Sequence, residues 1–489
     1  MAETQTLQIA VVGHTNTGKT SLMRTLIRDG DFGHVADAPG TTRQVQAARV
    51  LLKGECVLTL YDTPGIEDSI GLQDYLEQIA TVGQRLDGPE RIRLFLQGPE
   101  ACGRYEQEGR VLRKLLDCQA GLYVIDVRDA VLAKHRDELS ILVSCGRPLL
   151  PVLNFVVSPS ARTAEWREAL ARVGLHTCVE FDSVSPPIDG EDTLYKTLSI
   201  LLSPYQAILL QLQSQAASQR AARHATGLEL IAGLLIDVAS LRTLSPAGRD
   251  QPDLEQQSVL GQQSLVRQRE QAAVQALLAL FQFRPDDYLH HPLPVTDGRW
   301  KVDLFNPQAM KNMGIHIGKG FAAGAVAGAA VDVLSAGLSL GTGMLIGALA
   351  GGAVQGLGRW GARILGHLRG ARELTVRDEI LQLLALRQTQ LLAALERRGH
   401  AAINPVRIAN QSPSPYADQL PAVEFWNRSG PEPEADSVPL LPEPLQRARA
   451  HPEWSLMGNC FQDCQARQRT IAELSLSEFL QILPSNSPG

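Results

Sequence analysis

Cysteine is scarce and scattered in this chain. Seven cysteines occur in 489 residues, and none forms a CxxC pair or a cysteine–histidine cluster with zinc spacing. The nearest approach to such a pattern is a CxxxC at Cys460 and Cys464. This usage argues against a disulfide-stapled fold and a zinc module. The first residues also lack a signal-peptide pattern, so we expect reduced thiols and a cytoplasmic location.

An excess of positive charge is also lacking. Lysine and arginine number 46 against 52 aspartates and glutamates, which gives a formal net charge of −6. Such a balance provides no global electrostatic attraction to nucleic acid or anionic lipid. No KH-type GXXG module or basic aromatic surface is visible either. We therefore expect no nucleic-acid partner.

Short apolar runs alternate with helical segments over residues 7–203, a pattern typical of an α/β sheet. The chain is too long for one core, so two or three domains are expected. We predict that residues 1–203 form a nucleotide-binding domain with a mostly parallel six-stranded sheet. The predicted strands are 7–12, 44–52, 56–61, 121–126, 148–153 and 177–181.

The composition changes after Pro204 toward glutamine, alanine, leucine and arginine. This change predicts a mainly α-helical domain over residues 204–489. Residues 403–445 are rich in proline and acidic residues, which predicts a loop or partly disordered segment. The predicted helices of this half are 205–241, 254–283, 372–398 and 470–483.

A phosphate-binding loop is predicted at residues 13–20, which match GxxxxGK(S/T) at every fixed position. The match follows a predicted strand and opens a helix, so loop N–H groups and the helix N-terminus face a phosphate together. Lys19 would bridge the β- and γ-phosphates, and Thr20 would bind Mg²⁺. The complete predicted set is Gly13, His14, Thr15, Asn16, Thr17, Gly18, Lys19, Thr20 and Ser21.

A second motif, Asp62-Thr63-Pro64-Gly65, ends the predicted strand 56–61. At that position the Asp62 carboxylate can reach Mg²⁺ through water, and the Gly65 N–H can sense a γ-phosphate. Between the two motifs lies Pro39-Gly40-Thr41-Thr42-Arg43, at the position of a switch loop. With these motifs, residues 7–202 resemble the Era/TrmE-like branch of the translation-factor-class GTPases.

The resemblance implies a Ras-like fold, GTP as substrate and Mg²⁺ as cofactor. It implies that Thr42 closes over Mg²⁺, with Thr41 as the alternative, and that Lys19, Thr42 and Gly65 take part in catalysis. Ile66 stands where Ras-like enzymes place the glutamine that orients water. Because isoleucine cannot orient water, we predict slow hydrolysis that relies on backbone groups, a cation or a partner.

Asn16 lies at the position where potassium-activated members of this branch carry asparagine. The resemblance therefore implies a K⁺ ion that supplies positive charge between the phosphates. The alternative, in which Asn16 only stabilises the loop, stays open.

The guanine-reading motif departs from the NKxD pattern of the family. Asn154 is in place, but Phe155 replaces the lysine and Val157 replaces the aspartate. The tripeptide 182–184 also differs from the SAK-like sequence expected there. Loss of a charged hydrogen bond of ~1.5–3 kcal/mol removes roughly 10- to 150-fold of discrimination. The resemblance implies GTP, whereas the residues indicate reduced base selectivity.

A Gly/Ala-rich apolar stretch at about 314–361 predicts two antiparallel helices with a smooth groove. From residue 320 to 358, Asp332 is the one ionisable residue. The hairpin either packs inside a soluble domain or enters the membrane from its cytoplasmic face. Helices of ~17 residues span ~26 Å, less than the ~30 Å core of a bilayer. Burial of Asp332 at the centre of the bilayer would cost a further ~2.5–3.5 kcal/mol.

The layout of the whole chain resembles a family of bacterial proteins whose C-terminal half is a domain of unknown function. The C-terminal part of this resemblance implies no mechanism. Our leading hypothesis is a regulatory GTPase in which nucleotide reorders residues 31–43 and 62–75, and the helical half relays this change to a protein partner or membrane. One alternative is a dynamin-like membrane scaffold that forms homo-oligomers. Another is a binding protein without hydrolysis.

Overall fold

The computed structural model describes residues 6–28, 32, 45–79, 86–245, 252–283, 295–296, 299–300, 331–333, 372–399, 441–458 and 461–481. The chain divides into two compact units. The first consists of Met1–Ala222 and Glu396–Asn404, and the second of Arg223–Leu395 and Pro405–Gly489.

The first unit is built on a six-stranded sheet. Its strands are β1 (Leu7–Val12), β2 (Gln46–Leu52), β3 (Glu55–Asp62), β4 (Ala120–Asp126), β5 (Leu149–Asn154) and β6 (Val179–Glu180). They lie in the order β2-β3-β1-β4-β5-β6, with β2 antiparallel to β3 and the other pairs parallel. The predicted mostly parallel α/β sheet is therefore confirmed. Strands β4 and β5 are buried at every residue, which explains their continuous apolar sequences.

Helices cover both faces of this sheet. They are α1 (Lys19–Ile27), α2 (Ser69–Gln78), α3 (Gly88–Gln97), α4 (Glu106–Asp117), α5 (Ala133–Ser144), α6 (Thr163–Arg172) and α7 (Gly190–Leu201). One apolar core includes Leu22 and Phe181, and the other includes Phe95 and Trp166. The parallel strands β1, β3, β4 and β5 all end at the same edge of the sheet, where ligands bind in folds of this class.

Two helices of this unit, α2 and α3, lie within residues 67–104. The glycines and prolines of that segment predict irregular structure, and this prediction is wrong. Helix α3 starts with a capping box: Asp87 accepts from Glu90 N at 2.8 Å, and Asp87 N donates to Glu90 Oε2 at 3.0 Å. Ile92 and Phe95, three residues apart, are both buried. Such a short helix depends on tertiary packing more than on its own sequence pattern.

The second unit is mainly helical, as predicted. A long helix, α8 (Gln206–Ser240), starts in the first unit and continues into the second. The other helices are α9 (Pro252–Leu280), α10 (Asp378–Glu396), α11 (Glu443–Ala450), α12 (Gln465–Ser475) and α13 (Glu478–Gln481). Leu235, Val274 and Leu384 belong to its apolar core. Buried Asp237 joins three parts of this unit by accepting from Arg269 and Arg467 at 2.7 and 2.8 Å.

Short strands complete the second unit. They are β7 (Thr243–Ser245), β8 (Val295–Thr296), β9 (Arg299–Trp300), β10 (Val331–Val333) and β11 (Arg372–Val376). Strands β8 and β9 pair as a two-stranded sheet, and β10, β11 and β7 form an antiparallel three-stranded sheet. The helix predicted to start at 372 therefore begins at Asp378 instead, after a strand.

The Gly/Ala-rich stretch lies outside the described residues except for Val331–Val333, which form a strand where a helix was predicted. Two β-branched valines within three residues favour the extended backbone that pairs with β11. The described part of segment 403–445 begins at 441, and α11 starts there at Glu443. Within the described ranges, no helix combines the length and apolarity required to cross a membrane.

Candidate functional site

The loop between β1 and α1 has the backbone conformation of a phosphate-binding loop because two glycines permit it. Gly13 and Gly18 have φ angles of +146° and +91°. A Cβ on Gly13 would lie 2.4 Å from the Val124 carbonyl oxygen, and one on Gly18 would lie 2.3 Å from Asn154 Nδ2. Asn16 also has a positive φ, +65°, which asparagine tolerates better than most residues.

Lys19 is folded back onto this loop. Its Nζ donates to the carbonyl oxygens of Gly13 at 3.0 Å and of His14 at 2.6 Å. Burial lowers the pKa of Lys19 to about 8, while the charges of Asp62 and Glu138 act in the opposite direction. Two carbonyl oxygens of the loop therefore hold the amine, and phosphate oxygens can replace these acceptors.

Thr20 and Asp62 lie together at the edge of the sheet. Thr20 Oγ1 donates to Asp62 Oδ2 at 2.6 Å. Burial raises the pKa of Asp62, and the hydrogen bond from Thr20 and the charge of Lys19 oppose that shift. Asp62 Oδ1 is buried and accepts no hydrogen bond from any residue that the structure describes. A hydroxyl beside an unsatisfied carboxylate oxygen fits Mg²⁺, which prefers oxygen ligands.

The loop after β3 packs directly against the phosphate-binding loop. A Cβ on Gly65 would lie 2.5 Å from Thr15 Cα, so only glycine fits there without displacement. Ile66 N donates to the Gly13 carbonyl oxygen at 3.2 Å. The Ile66 side chain is fully buried in the core, where it cannot hold a water molecule.

Asn154, the last residue of β5, connects the phosphate-binding loop to the loop after β6. Its Nδ2 donates to the Thr17 carbonyl oxygen at 2.9 Å, and its Oδ1 accepts from Ser183 N at 2.8 Å. Asn154 is fully buried. The structure therefore places this predicted base-site residue beside residues 13–20.

An arginine that the sequence analysis missed lies beside Phe155. The guanidinium of Arg128 stacks over the Phe155 ring, 3.8 Å from its centroid, and Arg128 Nη2 donates to Asp126 Oδ2 at 2.6 Å. Hydrogen bonding to the Asp126 carboxylate raises the pKa of Arg128. Because Arg128 follows the end of β4, its position at the same sheet edge as Asn154 was the available sequence signal.

The aspartate of the base motif is absent, and valine stands in its place. Val157 stands at that position with 69% of its surface exposed. The nearby Asp182 accepts from Val157 N at 3.3 Å and from the N–H groups of Val184 and Ser185 at 2.9 and 3.1 Å. Asp182 thus holds two loops together by their backbone.

A charged cluster behind the phosphate-binding loop was also missed. His14 Nδ1 lies 3.3 Å from Glu138 Oε2, and Lys134 Nζ lies 2.9 Å from His14 Nε2. Burial raises the pKa of Glu138. Burial is also the main cause that lowers the pKa of His135 to about 4. No motif marks these α5 residues in the sequence.

The remaining predicted site residues fall into two groups. Thr17 and Ser21 lie in the loop and in the first turn of α1, where Thr17 Oγ1 donates to the His14 carbonyl oxygen at 3.1 Å. Thr41 and Thr42, predicted for the switch loop, lie outside the described residues. The structure thus brings together residues 13–21, Asp62, Gly65 and Asn154.

Two family models match separate parts of the chain. Residues 8–155 match a model described as 50S ribosome-binding GTPase, and residues 167–476 match a domain of unknown function, DUF3482. The second match covers more than half of the chain.

Curated relatives match the N-terminal part. The tRNA modification GTPase MnmE of Prochlorococcus marinus (strain MIT 9313) is 45% identical over 75 residues, which are 15% of each chain. GTPase Der of Solidesulfovibrio magneticus is 26% identical over 181 residues, 34% of this chain and 40% of Der. The chain thus matches less than half the length of these relatives.

Among solved structures, Era in complex with MgGDPNP and nucleotides 1506-1542 of 16S ribosomal RNA is 16% identical with a TM-score of 0.30. The match covers 40% of this chain and 55% of that chain.

Proposed function

Because this chain belongs to the family defined by the domain of unknown function DUF3482 and its N-terminal part matches a GTPase family model and the GTPases Der and MnmE, we propose that it is a slow regulatory GTPase. Its nucleotide state would be relayed to the helical second unit. The observation that carries the proposal is the convergence of Lys19, Thr20 and Asp62 at one end of the phosphate-binding loop.

In this proposal, Lys19 exchanges the carbonyl oxygens of Gly13 and His14 for phosphate oxygens when GTP binds. The N–H groups of the loop and the start of α1 complete the phosphate site. Thr20 and Asp62 would hold Mg²⁺, with Thr42 as a further ligand. The ion, when bound, neutralises charge on the phosphates.

Slow hydrolysis follows from the position of Ile66. Its side chain is buried in the core and offers no polar atom to a water molecule. The Gly65 N–H and Lys19 remain as groups that can stabilise charge on the phosphates. Rates of about 10⁻³ s⁻¹ or less, as in Ras without its activator, are the expected range. A K⁺ ion at Asn16 would raise this rate.

The proposed relay is supported by how α8 begins. Leu209 and Leu212 of α8 are buried in the same core as Ala48 of β2, and Gln215 Nε2 donates to the Leu51 carbonyl oxygen at 3.1 Å. Strand β2 directly follows the predicted switch loop at 39–43. A change in that loop would therefore displace β2 against α8, which continues into the second unit.

The alternative is a dynamin-like or scaffold protein that associates with membranes or with copies of itself and hydrolyses GTP weakly or not at all. The Gly/Ala-rich stretch at 314–361 is the feature that favours membrane contact at the inner face of the cell membrane. A third candidate is a binding protein without hydrolysis, which is favoured by Ile66 together with the loss of the guanine-reading aspartate at Val157.

Phosphate release from GTP by the purified full-length protein tests these proposals. We expect slow, Mg²⁺-dependent release that the Lys19→Ala variant lacks. If the wild-type protein binds GDP but releases no phosphate from GTP, the result would favour the binding protein. Stimulation by phosphatidylglycerol vesicles, together with sedimentation with them, would favour the membrane scaffold.

A further inference from the structure

Gly399, which lies far from every nucleotide motif in the sequence, packs directly on the loop after β6. Its N–H donates to the Val184 carbonyl oxygen at 3.0 Å. A Cβ added to Gly399 would lie 2.0 Å from the Ser183 carbonyl oxygen and 3.1 Å from Thr25 Oγ1. Contacts below 3.0 Å are not tolerated, so this site requires a residue without a side chain.

Hydrogen bonds connect this contact to the phosphate-binding loop. The Ser183 carbonyl oxygen, against which Gly399 packs, accepts from Thr25 Oγ1 of α1 at 3.0 Å. Ser183 N donates to Asn154 Oδ1 at 2.8 Å, and Asn154 Nδ2 donates to the Thr17 carbonyl oxygen at 2.9 Å. The position of Gly399 is therefore linked to Thr17 through two intervening residues.

The residues of this series are buried. Ser183 and Asn154 are fully buried, and Thr25 and Thr17 are 5% and 7% exposed. Hydrogen bonds shielded from water in this way are stronger, and their groups cannot turn to solvent if the series is broken. A displacement of the Ser183 loop must therefore be transmitted to Asn154 or leave a buried polar group without a partner.

Gly399 lies three residues after the end of α10 at Glu396. Residues 396–404 belong to the first unit, whereas the body of α10 up to Leu395 belongs to the second. Leu391, Leu392 and Leu395 are buried in the apolar core of the second unit. Gly399 thus lies a few residues after a helix whose leucines pack in the core of the second unit.

We propose that Gly399 is a positioning residue of the nucleotide site: it fixes the Ser183–Val184 loop, and through Asn154 it fixes the phosphate-binding loop. The inference rests on the proposed function because it requires a nucleotide at residues 13–20. Since coupling between two sites is reciprocal, nucleotide binding also stabilises the Gly399 contact. A residue from the C-terminal half of the sequence therefore helps to position the nucleotide site.

A point substitution in the full-length protein tests this role. Gly399→Ala places a methyl group against the Ser183 carbonyl, and we expect it to weaken binding of fluorescent GDP about tenfold, within the usual range of such couplings. Gly261→Ala is the matched control, because a Cβ at Gly261 in α9 meets no atom within 4 Å. We expect the control to bind GDP as the wild type does.

Hydrogen exchange of the wild-type protein supplies a readout that does not depend on how the variant folds. We expect saturating Mg²⁺ and GDP to slow exchange of the peptide that contains the Gly399 amide. Unchanged exchange in that peptide, with GDP shown to be bound, would overturn the inference, as would equal affinities of Gly399→Ala and Gly261→Ala. Failure of the wild type to bind GDP would instead reject the proposed function.

Discussion

Thr20 Oγ1 donates a hydrogen bond of 2.6 Å to Asp62 Oδ2, which joins the start of α1 to the end of β3 across 42 positions of sequence. Both residues are buried, and Asp62 Oδ1 accepts no hydrogen bond from the described residues. The pair forms where a strand and a helix from separate motifs meet. In the proposed function, this pair provides oxygen atoms for a magnesium site.

Replacing Thr20 tests that magnesium site. Because the hydroxyl is the only polar atom of the side chain, we expect Thr20→Ala to need roughly tenfold or more Mg²⁺ for half-maximal GTP binding. Thr20→Ser retains the hydroxyl and should resemble the wild type. The measurement is GTP affinity as Mg²⁺ is titrated after treatment with EDTA. An equal Mg²⁺ requirement of the alanine and serine variants would contradict the assignment.

The lowered pKa of Lys19 predicts that nucleotide binding weakens at alkaline pH. The nucleotide-free protein holds the Lys19 proton only below about pH 8, whereas phosphate favours the charged amine. Binding must therefore take up a proton above that pH, and affinity for GDP should fall about tenfold between about pH 7 and pH 9. Lys19→Arg, which stays charged, should lack this decline even if it binds more weakly.

The same shift affects the stability of the nucleotide-free protein. Between about pH 8 and the ordinary lysine value of 10.5, the unfolded chain binds this proton and the folded chain does not. The contribution of Lys19 to the free energy of unfolding therefore rises with pH in that window. Denaturant unfolding at several pH values measures the free energy of unfolding of the wild type and of Lys19→Arg. The difference between them isolates the contribution of Lys19.

The base site should discriminate poorly between purines that differ at the 2-amino group. Val157 offers no acceptor, and Asp182 is occupied by three backbone N–H groups. We expect GTP and ITP, which lacks the 2-amino group, to bind within about threefold of each other. Val157→Asp should favour GTP about tenfold or more, as expected for a charged hydrogen bond.

Val157→Asn is the control for this change because asparagine has nearly the same shape as aspartate but lacks its charge. Competition of GTP and ITP against fluorescent GDP measures the preference directly. A wild-type protein that already prefers GTP more than tenfold would contradict the prediction and would indicate another guanine-reading group.

Potassium should accelerate hydrolysis if Asn16 helps to hold a cation. Asn16 lies within the phosphate-binding loop, where its φ is +65°. We expect phosphate release about tenfold faster in KCl than in NaCl at equal ionic strength, because a fixed positive charge stabilises the transition state. Asn16→Ala should abolish the difference. Equal wild-type rates in the two salts would remove the cation from the mechanism.

The sequence by itself determined the parts of this protein that depend on local patterns. The strand β1 and the glycines at 13 and 18 define the phosphate-binding loop because motif, strand and helix are contiguous. The continuous apolar run of β4 defines a strand buried on both faces. Asp62 could be placed near Thr20 because parallel strands end at one edge of a sheet.

The strands β10 and β11 were not predictable in the same way, because such short strands depend on pairing with the rest of the chain. The short helix α3 was missed although Asp87 and Glu90, which form its capping box, are a helix-start signal in the sequence. The base site was predictable at Asn154 alone, since the residues around it depart from the family pattern.

Only the tertiary structure decided which distant residues meet. Arg128 lies on Phe155, Glu138 lies behind His14, and Gly399 lies on the Ser183 carbonyl. No periodicity or motif encodes such contacts. They arise because closing the core brings separate segments into one densely packed volume, in which each buried polar group must find a partner.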